Sequence, residues 1–512
     1  MNPIWTSKKL AVLFSYMSTG FNAIFTVVLT GLYVNKLGRE SYGLYQMVYA
    51  VAHYILILDL GIAATMNRYI AEYIERKDQT RQENFAFHML IILSVIGALI
   101  FLIGALIYRQ LDVIYPKLTP QELPLARHMF AVMIVQIVLM VFRHFASGIS
   151  LGYDQYALVR LLAVISLIVN FVLSVAIIHL GYGFLAIVYS KTVVLSLVLC
   201  FILYIVFFKL HFKIRFHYWD WAMIAPATTL MLAIFMQSIV GHVNNTVDKT
   251  ILGNMTTKSD VAVYSIAAVF ITMFNTLPSI ISSVFQTQAT RMVVRGATPA
   301  EMTAFVAKPG RFQFVIAGGF CAGFLLLGQD FIMCWMHDPQ MKKAWFYALL
   351  IMIPNMVPLI QGTSVSLLNA LNKRIFRSLI LIGLTVVNIS LTIYLVKRIG
   401  CVGAPLATGV SFIIGHVILL NIYYQRRIGL NVFKIFHDVL SKTWVAVLGA
   451  LIINLPLVKW DAQERWWVFI VKAIAFCVVY AAILWFYGFN TSEKTAVAKI
   501  AAKVGVRLPQ AS

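Results

Sequence analysis

Runs of twenty or more apolar residues return along the whole length of this chain, and they limit its folds more than any motif does. A run of that length crosses about 30 Å of hydrocarbon as a helix. The runs fall at 9–33, 42–72, 84–108, 127–148, 157–179, 183–208, 221–251, 261–290, 309–328, 344–371, 376–396, 402–424, 437–458 and 466–488, which predicts about fourteen spans. The connections between them reach about twenty residues at most, too few for an ordinary extramembrane domain. Any activity must therefore be built from helices. The runs are continuously apolar rather than alternating, which excludes a transmembrane barrel. An all-α integral membrane fold is the expectation.

Composition agrees: 61% of the chain is hydrophobic and 12% charged, with a mean hydropathy of +0.85. A water-soluble fold could not cover that much apolar surface. Lys8 and Lys9 precede the first run, yet Ser, Thr, Gly and Asn interrupt it and no small-residue cleavage site follows, so it reads as the first span rather than a signal peptide. The cysteines (Cys200, Cys321, Cys334, Cys401, Cys477) show no paired spacing; neither a disulfide framework nor a metal site is indicated, and they read as packing residues.

A net charge of +22 would suggest nucleic acid in a soluble protein. Here the basic residues sit mostly between spans, so no nucleic-acid partner is expected. With the amino terminus in the cytoplasm, Arg76, Lys77, Arg81, Lys209, Lys213, Arg215, Arg291, Arg295, Lys373, Arg374, Arg426 and Arg427 all lie inside, as the positive-inside rule prefers. Both termini are then cytoplasmic. Trp219 and Trp221 fall at the predicted inner boundary, and Trp335, Trp345, Trp460, Trp466 and Trp467 at the outer one.

Two stretches resemble each other at a shift of about 218 residues. Residues 151–185 align with 369–403, placing Asn170 over Asn388 and Asp154 over Asn372. A second pair, starting at Leu37 and Leu252, places Tyr45 over Tyr264. The repeat implies two six-helix lobes in the same orientation, 1–208 and 209–424, related by a pseudo-twofold along the membrane normal. Two further helices and a tail fill 425–512. Such lobes commonly enclose a cavity that opens alternately to the two sides.

The text GRESYGLYQMVYAVAHYILILDLGIAATMNRYIAEY in 38–73, followed by VDKTILG in 247–253, is similar to the polysaccharide and O-antigen flippases of bacteria. These belong to the multidrug/oligosaccharidyl-lipid/polysaccharide exporter superfamily. The resemblance implies a flippase of the bacterial cytoplasmic membrane that moves a polyprenyl-pyrophosphate-linked oligosaccharide between leaflets for surface polysaccharide assembly. Its partners would be that lipid-linked substrate, membrane lipids and polysaccharide assembly proteins. No prosthetic group is implied; a proton or sodium gradient is one source of energy.

Charges within spans cost at least a few kcal/mol and mark candidate sites. Asp59 lies near the middle of the second span, as a cavity or ion-linked group or a structural partner. Arg68 stands about 13 Å nearer the cytoplasm, where it either meets a pyrophosphate or snorkels. Arg143 with His144, and Lys191, suit an anionic headgroup through bidentate and point-charge contacts. Asn244, Asn245, Asp248 and Lys249 form a polar stripe in the seventh span; Asp248 and Lys249 either neutralise each other or nearby groups, or Asp248 joins Asn388 and Thr392 in a cation site. Asn22 and Gln237 either hydrogen-bond sugars or bridge helices. Pro278, Pro354 and Pro358 are candidate bending points.

Three rivals remain. A multidrug exporter of the same superfamily would favour acidic pocket groups, whereas the surplus here is basic. A major-facilitator transporter predicts twelve spans and a glycine-bearing loop after the second, and ERKDQTRQE has no glycine. A membrane glycosyltransferase or polymerase would need a sizeable outer loop. No phosphate-binding loop motif is present, which argues against ATP hydrolysis, and no catalytic residue is assigned.

Overall fold

The computed structural model describes residues 7–371, 373–460, 465–491, 493–495 and 497–498. Every expected apolar run is mainly helical there, and the described residues contain no strand. The chain divides into two compact units, Met1–Ser265 and Ile266–Ser512.

In the first unit the helices are α1 (Lys8–Leu37), α2 (Arg39–Ile55), α3 (Ile62–Glu75), α4 (Gln79–Arg109), the short α5 (Leu111–Ile114), α6 (Glu122–Gly152), α7 (Tyr156–His179), α8 (Phe184–Tyr204) and α9 (Trp221–Met255). Their starts follow from local chemistry. The Asp78 carboxylate accepts from the Arg81 amide at 2.9 Å and opens α4, and Asp220 does the same for α9 by accepting from Ala222 and Met223. These caps satisfy amides that have no partner within the helix. α3 packs on α6 through Gly148 and Gly152, one turn apart; a Cβ at Gly148 would lie 2.5 Å from the Met66 Cβ. Backbones approach this closely only where side chains vanish, the usual device of helix packing in lipid.

The unit boundary falls inside α10 (Lys258–Val284). The second unit continues with α11 (Gln286–Val294), α12 (Pro299–Met336), α13 (Lys343–Ile360), α14 (Gly362–Ala370), α15 (Arg374–Ile399), α16 (Gly403–Phe412), α17 (Leu420–Tyr423), α18 (Val432–Leu440), α19 (Thr443–Val458) and α20 (Trp466–Ile483). Thr298 and Glu301 form a reciprocal capping box at the start of α12, with Pro299 in its first turn, each element of which favours initiation.

Among the described residues eleven helices are long and apolar enough to cross a membrane, or twelve if the bent pair Val432–Leu440 and Thr443–Val458 is one span. The expectation of about fourteen differs for local reasons. Phe376–Ile428 is one 53-residue stretch by this test, about 80 Å if straight, but α15 and α16 pack on one another across the turn at 400–402. Within α9 the described residues contain a shorter apolar helical stretch, Trp221–Met236. Pro278 lies within α10, and Pro354 and Pro358 within α13.

Trp335, the penultimate residue of α12, is buried against Phe270 and Phe331. Cys200 and Cys477 are exposed, whereas Cys321, Cys334 and Cys401 are buried. Asn372, the termini and the tail beyond Ala498 lie outside the described residues.

Candidate functional site

The second span is not one helix. α2 ends at Ile55, Leu56–Asp59 tightens into a 3-10 turn, and Leu60 and Gly61 both take left-handed backbone with φ of 51° and 66° before α3 begins. Glycine permits that conformation without steric penalty, and leucine beside it carries strain. A Cβ on Gly61 would also stand 2.5 Å from the Ile234 side chain. A broken helix within a membrane leaves backbone polar groups that need protein or water around them, and such breaks commonly accompany binding sites.

Asp59 sits at this break. Its Oδ1 lies 2.6 Å from His144 Nδ1 on α6, and His144 Nε2 lies 3.3 Å from the Arg143 guanidinium. Arginine can only donate. The tautomer that satisfies both contacts therefore carries its proton on Nδ1, donates to Asp59 and accepts from Arg143, leaving a neutral imidazole between opposite charges. A proton added at Nε2 would remove the acceptor that holds Arg143. Asp59 and His144 are each about a quarter exposed. Arg143 keeps its Nε buried without a hydrogen-bond partner among the described residues.

Higher on the same helix, Lys191 of α8 donates to the Tyr45 hydroxyl at 3.1 Å and lies 5.5 Å from the Tyr45 ring. Tyr45 is fixed in turn by stacking on Phe184 at 4.8 Å. Lys249 of α9 donates to Gln46 at 3.0 Å, and Gln46 donates to Tyr42 at 2.8 Å. One helix and its break thus receive Lys191, Lys249 and the Arg143–His144 pair from three different elements. From Tyr45 to Asp59 this line extends about 21 Å.

The other candidates are distributed differently. Asp248 and Lys249 reach in separate directions: Asp248 is buried and accepts from the Tyr264 hydroxyl at 2.5 Å, while Lys249 goes to Gln46. Asn388 and Thr392 belong to the second unit, where both are buried and Asn388 donates to Thr408 at 3.1 Å. Arg68 is exposed, 5.6 Å above the Tyr69 ring, and Asn22 is exposed on α1. The side chains of Gln237, Asn244 and Asn245 lie outside the described ones. Among the described residues no cluster of His, Cys, Asp and Glu is arranged to hold a metal ion.

Sequence reasoning missed Gln46, Tyr45 and Tyr42 as partners of the cations, since tyrosine and glutamine in an apolar helix carry no positional signal. It also missed two charge pairs of the second unit. Lys472, wholly buried, donates to Asp330 at 2.7 Å. Arg311 spends all its donors: it bonds Glu493 through Nε and Nη2 at 2.7 and 3.2 Å and the carbonyls of Asp438, Ser441 and Gly488 at 2.7 to 3.0 Å. Lys472 could have been flagged by the rule applied to Asp59, a charge in the middle of an apolar run.

Against the known families, residues 10–287 match the model of the polysaccharide biosynthesis protein family. The chain belongs to that family. The matched stretch spans more than half of the sequence and contains both motifs, at 38–73 and 247–253. Among solved structures, this polysaccharide biosynthesis protein resembles the lipid II flippase MurJ in its inward closed conformation, with a TM-score of 0.73 at 14% identity, covering 92% of this chain and 98% of that one. It also resembles an inward-facing multidrug resistance MATE family transporter of the MOP superfamily, with a TM-score of 0.65 at 16% identity over 80% of this chain and 96% of the other. At these identities the likeness is one of fold. No curated protein sequence matches this one.

Proposed function

We propose that this polytopic membrane protein is a flippase that moves a polyprenyl-pyrophosphate-linked oligosaccharide across the bacterial cytoplasmic membrane for surface polysaccharide assembly, by alternating access and without enzymatic chemistry. The observation that carries the reading is the line of cations along α2 and its break, with a free, buried donor on Arg143. A pyrophosphate offers several anionic acceptor oxygens, and guanidinium and ammonium groups meet them with charge-assisted bonds. The acids beside these cations are already engaged, Asp59 by His144 and Asp248 by Tyr264, which disfavours a cationic drug. Family membership and the MurJ-like fold support the same substrate class.

The Asp59–His144–Arg143 arrangement also offers a way to couple transport to protons: protonating His144 releases the guanidinium for substrate. Lipid-linked substrate and membrane lipids are the partners this reading requires; assembly proteins are further candidates. Both termini are placed in the cytoplasm by the same reading.

The test is leaflet-resolved accessibility of a fluorescent polyprenyl-pyrophosphate oligosaccharide in proteoliposomes, with a cationic drug run in parallel. Protein-dependent movement of the lipid is expected. Movement of the drug alone would transfer the chain to multidrug export, and movement of neither would overturn the substrate assignment.

A further inference from the structure

Two pockets of the first unit meet at Leu210 and His211 and differ in character. The first, about 350 Å³, is polar, with Lys77, Gln82, Glu83, Tyr153 and Lys213 in its wall. The second, about 480 Å³, is an apolar groove along α7 and α8, with Leu158, Ile165, Phe201 and Phe208 in its wall and Lys209 at its rim. A polar pocket and an oily groove thus adjoin at two shared wall residues.

The charges of the polar pocket are unbalanced. Its acids are engaged: Glu83 accepts from Gln79 at 2.9 Å and lies 3.1 Å from His217, and Asp78 lies 3.5 Å from Arg81. Among the described residues Lys77, Lys209 and Lys213 have no acidic partner. The backbone adds a second observation. Lys77 and His211, both in the polar wall, are non-glycine residues in left-handed conformation, with φ of 54° and 50°. Each closes the helix before it, with the Asp78 amide donating to the Tyr73 carbonyl and the Phe212 amide to the Val206 carbonyl, so these turns set Lys77 and His211 at helix ends. Both stand on the loop face that carries the basic surplus.

We propose that this pair of pockets is a binding site for an anionic glycerophospholipid, with the phosphate between Lys77 and Lys213 and an acyl chain in the α7–α8 groove. Basic pockets at the cytoplasmic ends of membrane helices suit such headgroups. The apolar groove beside the lysines suits an amphiphile over a free anion. None of Asp59, Arg143 or Lys191 lines either pocket, so the site is separate from the residues assigned to transport and does not depend on that assignment. Ile165, Phe201 and Phe208 are exposed, so a chain can slide into the groove sideways.

The full-length protein in detergent would be examined by native mass spectrometry with phosphatidylglycerol and phosphatidylcholine of identical chains. Phosphatidylglycerol should be retained preferentially, and the double variant K77Q/K213Q should weaken its retention about thirty-fold, as expected for removing two interfacial charges. Ile165→Trp, which fills the groove without touching the lysines, should weaken it as well. Equal retention of the two lipids, or undiminished retention in K77Q/K213Q, would overturn the site. Displacement by inorganic phosphate would reduce it to an ion site. Displacement by equimolar polyprenyl diphosphate would reassign it to the transported lipid. Both lysines and Ile165 are exposed, so the variants should melt like the parent.

Discussion

Two cations of the second unit and two of the first are held in opposite ways. In the second, Arg311 has a partner for every donor and so no capacity left for a ligand, and Lys472 is wholly buried against Asp330. In the first, Arg143 and Lys191 are half-buried and held through single contacts to a neutral imidazole and a hydroxyl. The difference teaches that an intramembrane charge is informative through its unused valence. A saturated ion pair fastens helices, in this case α18 and α20 to α12, whereas a lightly held cation can exchange its partner for a substrate oxygen at little cost.

The largest effect should come from the saturated side. Arg311→Met leaves Glu493 buried without its counter-charge and is expected to lower the unfolding free energy by about 3–5 kcal/mol, read as a fall in the melting temperature of the purified protein. An unchanged melt would erase the contrast between the units. Lys472→Met should do the same to a smaller extent, about 2 kcal/mol, since Asp330 keeps some exposure. Adding Asp330→Leu should restore most of that loss, because an apolar pair of similar volume is often as stable as a buried ion pair.

On the lightly held side the sign reverses, with activity falling and stability unmoved. Arg143→Gln should slow lipid translocation about ten-fold, the value of one charge-assisted bond of roughly 1.4 kcal/mol, while the melting temperature and abundance stay at the parental level. A variant that melts low and transports normally once folded would move Arg143 into the structural class. The smallest effect is expected for Tyr45→Phe: removing the hydroxyl that orients Lys191 should cost about three-fold in translocation, within the range of a single neutral hydrogen bond, with the ring contact retained. Full activity there would mean that Lys191 needs no positioning.

The charges of the first unit's candidate site were legible from residue type and depth. Asp59, Arg143 and Lys191 stand out because each is a charge in an apolar run, and the structure gives each of them a polar partner. The break at Leu56–Gly61 was not legible, since LILDLG reads as continuous helix by apolarity and only its left-handed pair reveals the interruption. The cation site drawn from Asp248, Asn388 and Thr392 used residues with partners of their own in different units.

What the sequence by itself determined was the membrane body: the helical runs, their approximate limits and the family whose text they carry. Apolar run length is a one-dimensional property, and the hydrocarbon thickness reads it directly. What only the tertiary structure decided was the partner of each charge. Asp59 meets His144 from 85 residues away, Lys191 meets Tyr45 from 146, and Arg311 meets Glu493 from 182. In a low-dielectric interior the partner within a few ångströms sets whether a charge is spent or available, and that distance exists only once the helices have packed.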